Sequence, residues 1–210
     1  MPQLRLPDIK FNHLNHDIMP NWCYTQYAVR GDKKQVKRLY NKMKKLQEME
    51  TPLVENGFGP SWLGCLVKSL GADPKTVYCR GSWSDLDLVA EDTIRFNTEH
   101  AWSRPDEVED LLCEKFPGLQ IFFLEEELGM DIFQTNDIYG EFFTENIIID
   151  EEENGMEYYT MEDALERLSE LKGEPVTDWE AAEAFASAIN DAQDENDGEG
   201  HIWLHKADLV

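Results

Sequence analysis

The chain has 210 residues, 41% of them hydrophobic and 11% aromatic, which is enough for a core without disulfide or metal staples and too apolar for a wholly disordered protein. Its formal net charge is −24, from 43 Asp/Glu against 19 Lys/Arg, which disfavours nucleic acid or an anionic membrane as a direct partner. No run approaches the roughly 18 apolar residues of a membrane span, and the N-terminus lacks the apolar stretch of a signal peptide, so a soluble cytoplasmic protein is expected.

In chain order, residues 1–18 read as an N-terminal extension or the result of an upstream start codon. Trp22 to Val29 alternate apolar and polar side chains with abundant aromatic and β-branched types, which predicts a strand closed by Gly31. Asp32 is the expected N-cap of a helix, with Gln35 at the reciprocal capping-box position. Val36, Leu39, Tyr40, Met43 and Leu46 form its buried stripe, and Lys33, Lys34, Lys37, Arg38, Lys42, Lys44 and Lys45 occupy the other faces. A short apolar helix, SWLGCLVKSLG, lies within the Gly- and Pro-rich stretch 51–75. The runs TVYCRGSW and DTIRFNTEHAW predict two strands joined by a medium loop, SDLDLVAE. Ser103 and Pro105 open a second helix with the stripe Val108, Leu111, Leu112 and Phe116, and LQIFFLEEEL follows as a fourth strand. The order βαββαβ points to an α+β fold with a ferredoxin-like antiparallel sheet.

Beyond Gly129, MDIFQTND, EFFTENIIIDEE and MEYYT read as additional C-terminal strands extending that sheet. Thr160 and Thr177 are the expected N-caps of two acidic helices whose apolar stripes are narrow, suited to packing at an edge. NDAQDENDGEG reads as a disordered acidic linker and HIWLHKADLV as an apolar tail. The tail either returns as an edge strand on its own sheet or a neighbour's, giving a homodimer through tail or sheet edge, or acts as a linear motif. The resulting division is 1–18 extension, 19–150 folded domain with added strands, 151–190 acidic helical appendage, and 191–210 linker and tail.

The blocks MPNWCYTQYAVRG, GSWSDLD and FNTEHAWSRPDEVEDLLCEKFPGLQIFFLEEELGMDIF resemble the YubB ferredoxin-like domain family. The similarity covers residues 19 to about 150. The family's A-W-S-P-P motif stands here as Ala101, Trp102, Ser103, Arg104 and Pro105, and the arginine is expected to loosen the entry to the second helix. The resemblance implies the ferredoxin-like fold and a gene carried by plasmids, phages or conjugative elements. It implies no catalytic residue, because the family's function is unknown.

Charge is unevenly spread. Residues 1–50 hold ten Lys/Arg and five Asp/Glu, whereas residues 51–210 hold nine and 38. Such a second half attracts basic partners. The leading expectation is therefore protein interaction: an acidic DNA mimic that antagonises a basic or DNA-binding host protein, with no direct nucleic-acid or membrane binding. A further expectation is that the basic helix docks internally on the acidic segment. Ordinary solubility is the simpler account of the same charge.

The alternative is a small-ligand-binding or metal-dependent enzymatic domain at the tryptophan-rich end of the sheet, where Trp22, Trp83, Asp85, Trp102 and Glu127 are the candidate binding residues. Asp85 and Asp87 with Glu125, Glu126, Glu127 and Asp131 match no calcium-loop spacing, so neither a metal nor a cofactor is called for. Cys23, Cys65, Cys79 and Cys113 form no C-x-x-C pair and read as free thiols. His201 and His205 stand four apart, as on one helical face, without the glutamate of a metalloprotease, and no nucleophile or phosphate-loop motif occurs. Enzymatic activity has no positive sign.

Overall fold

The computed structural model describes residues 21–196 and 198–210, so the expectations for residues 1–18 lie outside the described residues. The alternating segment forms β1 (Trp22–Arg30). Gly31 ends it where a Cβ would meet the Gly118 carbonyl oxygen at 2.5 Å, a close approach that only glycine allows. Helix α1 (Lys33–Gln47) is capped by the Asp32 carboxylate, which accepts from the backbone N–H groups of Lys34 and Gln35. The reciprocal half of the capping box is absent, because the Gln35 side chain accepts from Arg38 instead. Val36, Leu39, Met43 and Leu46 are buried as the periodicity requires.

Helix α2 (Leu63–Ser69) follows, and then β2 (Gly81–Ala90) and β3 (Thr93–Ala101) pair antiparallel. This corrects the expected hairpin: the strand starts at Gly81 rather than Thr76, and Ser84–Ala90 is strand instead of loop. Burial decides it. Leu86 and Leu88 pack against the core, and two register shifts, after Ser84 and after Asp87, let the interspersed aspartates turn outward. Asp85 accordingly takes a left-handed φ of 51°. Helix α3 (Asp106–Lys115), β4 (Gln120–Glu127), a single 3₁₀ turn (Leu128–Met130) and β5 (Ile132–Thr135) complete the first half.

The C-terminal half contributes β6 (Ile147–Glu151), β7 (Gly155–Tyr159), α4 (Met161–Lys172), α5 (Trp179–Asn196), β8 (Ile202–Lys206) and β9 (Asp208–Leu209). Among the described residues there are thus five α-helices and two sheets. The six-stranded sheet runs β2-β3-β1-β4-β5-β9, antiparallel except for the β5–β9 pair. The second sheet, β7-β6-β8, is antiparallel, so β6 and β7 do not extend the first as expected.

Alternation within single strands sets the layer order. On β1, Tyr27 and Val29 enter the core with α1, α2 and α3, while Ala28 between them faces the opposite side. On β6, Ile147 and Ile149 pack with Ala164, Leu168, Ala182 and Ala186 of α4 and α5, while Ile148 faces Ala28, Leu124 and Phe133 of the first sheet. The molecule is therefore helices, sheet, sheet, helices, with three apolar interlayers.

Three further expectations are corrected here. Helices α4 and α5 do not sit at an edge but fill their own core, because small Ala164, Ala182 and Ala186 let narrow stripes pack closely. The supposed linker is helical as far as Asn196, and Gly198 closes the helix by donating to the Gln193 carbonyl at 2.9 Å. Asp178 rather than Thr177 caps α5, accepting from the Ala181 N–H at 2.9 Å. The tail returns on its own chain, β8 to the second sheet and β9 to the first.

Candidate interaction surface

The five residues singled out at the tryptophan-rich end do not converge. Trp83 is buried in the helix-side core, where its indole N–H donates to Gln47 of α1 at 3.2 Å. Trp22 is exposed and alternates to the other face of the sheet. Trp102 is exposed just past β3 with a φ of 73°. Asp85 lies on the edge strand and accepts from Ser84 and Asn97. Glu127 buries one carboxylate oxygen without a partner among the described residues. A cleft of about 440 Å³ opens on the side of the sheet away from α1, lined by Gln26, Arg95, Phe142 and Tyr158 among others, and none of the five lines it.

A buried polar network at the start of α3 is the feature sequence reading missed. The Glu125 carboxylate, almost fully buried, accepts from the Arg104 backbone N–H at 2.8 Å, the Gln134 amide at 2.6 Å and the Cys23 thiol at 3.2 Å. The Arg104 guanidinium lies 3.8 Å over the Phe123 ring and pairs with Asp106, Glu109 and Glu125, while the Tyr27 hydroxyl donates to Glu109 at 2.7 Å. Arg104 therefore fastens the entry to α3 rather than loosening it. The available signal was the arginine itself, placed where three carboxylates lie within one turn or one strand.

This network is not arranged for catalysis. Burial, with the Glu125 charge beside it, pushes the Cys23 thiol far above the ordinary range, so it stays protonated and a poor nucleophile. Burial likewise lowers His100 to about 4, leaving it neutral, and its Nε2 lies 2.9 Å from the Thr25 hydroxyl rather than bonding the thiol. Among the described residues, no group of three or more His, Cys, Asp and Glu is placed to hold a metal ion.

The outer layer of the second half is built differently. Thr160 caps α4 by accepting from the Asp163 N–H, and Gly173 ends it with a φ of 71°. Glu162, Glu166 and Glu170 then fall at successive i, i+4 positions, all exposed, with Asp163 beside them. Arg167 forms a two-pronged bond to the buried Glu151 of β6, both contacts at 2.8 Å, and reaches Glu170 of the row only at 3.9 Å. Along α5, Glu180, Glu183, Asp191, Asp194 and Glu195 are exposed.

The far end of α5 is latched to β8. The Asn190 side chain bonds both the N–H and the carbonyl of Ile202 at 2.8 Å. His201 places Nδ1 2.8 Å from Glu152 and Nε2 3.1 Å from Asp194. Two carboxylate partners favour the imidazolium, in which both ring nitrogens donate, and these bonds raise the His201 pKa. The same contacts and two backbone N–H donors pull Glu152 down to about 2. His201 precedes a strand, so it and His205 do not share a helical face.

Basic α1 packs in the opposite outer layer and does not dock on the acidic segment. No helix of the described residues is long and apolar enough to cross a membrane. No protein-family model, curated protein or solved structure matches the chain.

Proposed function

We propose that this protein works by protein interaction, presenting the carboxylate rows of α4 and α5 to a basic partner, and that the partner is a DNA-binding protein of the host whose DNA the surface imitates. One observation carries the reading: the Glu162–Glu166–Glu170 row, flanked by Asp163, on a helix held rigid by its own core. At 1.5 Å per residue these four charges span roughly 12 Å, a mean spacing of about 4 Å against the 3.4 Å between phosphates along one DNA strand. Like charges at i, i+4 weaken a helix, so the row costs stability that plain solubility does not demand. The alternative site loses its support because Trp83 is committed to the core while Trp22 lies on the other face of the sheet.

The same proposal takes residues 19–150 as a YubB-type, ferredoxin-like domain carried by a mobile element. Supporting it are the antiparallel order β2-β3-β1-β4 and the placement of α1 and α3 on one face. The strands β5 and β9 lie beyond that four-stranded arrangement.

The test is capture of host proteins on the immobilised full chain, with stepped salt and then competing duplex. A DNA-binding protein released by salt and displaced by duplex is the expected result, since ion pairs at an open surface are screened within about 3 Å at 1 M salt. A captured protein indifferent to both salt and duplex overturns the reading.

A further inference from the structure

The chain carries about two carboxylates for every cation, yet most cations of its most basic element have no carboxylate partner among the described residues. Lys34, Lys37, Arg38, Lys44 and Lys45 are exposed on α1, and none has a carboxylate within ion-pair distance among the described residues. Lys33 alone on this helix pairs, with Glu91. Lys37 and Lys44 instead approach the ring of Tyr40, which is half-buried against the core rather than buried with the rest of the stripe, at 5.2 and 5.8 Å. Lys34 to Lys45 spans about 16 Å of helix, comparable to the row on α4.

These two faces cannot meet within one molecule. Helix α1 belongs to the first outer layer and α4 and α5 to the last, with both sheets between them. Charge complementarity that the fold prevents in cis is available in trans.

We propose that a second copy of this chain occupies the acidic face: α1 of one copy docks across α4 and α5 of the next, head to tail. The inference rests on reading α4–α5 as the interaction surface, and it names a partner distinct from the host protein. The joined patches differ, so the contact is heterologous and the assembly keeps one basic face free at one end and one acidic face at the other for further copies. The overall charge of −24 does not forbid it. At physiological ionic strength the screening length is about 8 Å, so charges in the contact dominate over the distant remainder.

Sedimentation of the full chain at micromolar concentration tests the proposal. Species larger than the monomer are expected at physiological salt, collapsing to monomer at 1 M. Lys37→Glu with Lys44→Glu, and separately Glu166→Lys with Glu170→Lys, each give monomers alone, while mixing the two variants restores association through the one wild-type pair of faces and the one exchanged pair. A wild type that is monomeric at physiological salt overturns the proposal, as does association that the α1 variant leaves intact. The two readings fail separately: the α1 variant retains capture of a host protein, whereas the α4 variant loses capture and self-association together.

Discussion

Arg104 and Glu125 show how much one position carries. Removing the guanidinium leaves the Glu109 and Glu125 carboxylates with only neutral donors, and breaking a buried pair costs roughly 3–5 kcal/mol. Arg104→Met is therefore expected to lower stability by that order in urea titrations, and Arg104→Met with Glu125→Gln to lower it by less, because the second change removes one of the two stranded carboxylates and leaves Glu109 as the other. His201 supplies a pH-dependent counterpart. Its raised pKa makes its contribution complete below the ordinary value of 6.5 and lost as pH rises through the folded value. Glu152, depressed to about 2, contributes above its ordinary 4.5 and loses that contribution as pH falls through about 2. Melting curves of wild type and His201→Gln should therefore differ most between about pH 4.5 and 6.5 and converge as pH rises through the folded value. A difference that persists unchanged at high pH would show that the latch does not depend on the imidazolium.

At the scale of elements, helix α4 sets function against stability. Glu166 stands four residues from both Glu162 and Glu170, so Glu166→Lys turns two repulsions into two attractions and should stabilise the protein by roughly 1 kcal/mol while weakening partner capture. A variant both less stable and fully competent in capture would remove the argument that the row is kept for binding. The elements also show which local signals sufficed. Asp32 and Thr160 were legible as caps, because a capping oxygen acts within three residues of sequence. Ser84 to Ala90 was not legible as strand, because its polar composition conceals Leu86 and Leu88, whose burial depends on a partner strand and a core supplied from elsewhere. The helical run through Asn196 was likewise hidden: its polar, acidic composition matches a linker, and the bonds from Asn190 to Ile202, from Asp194 to His201 and from Gly198 to Gln193 tie it down.

For the molecule as a whole, the interlayer between the sheets joins what local patterns treat as separate parts. Ile148 is fully buried there, and Ile148→Ala is expected to cost roughly 2–5 kcal/mol. Hydrogen exchange should then rise in both sheets together. A loss confined to β6, β7 and β8 would mean that the halves are stabilised independently.

By itself the sequence determined the mixed α/β composition, the positions of most helices and strands, and the segregation of basic from acidic charge. Periodicity, capping and composition act over a few residues and are written directly in the chain. Only tertiary structure decided that β6 and β7 leave the first sheet, that Trp83 and Trp22 lie on opposite sides of it, and that two sheets separate α1 from α4 and α5. Those outcomes depend on which apolar face finds which partner across more than a hundred residues, and no local pattern encodes that choice.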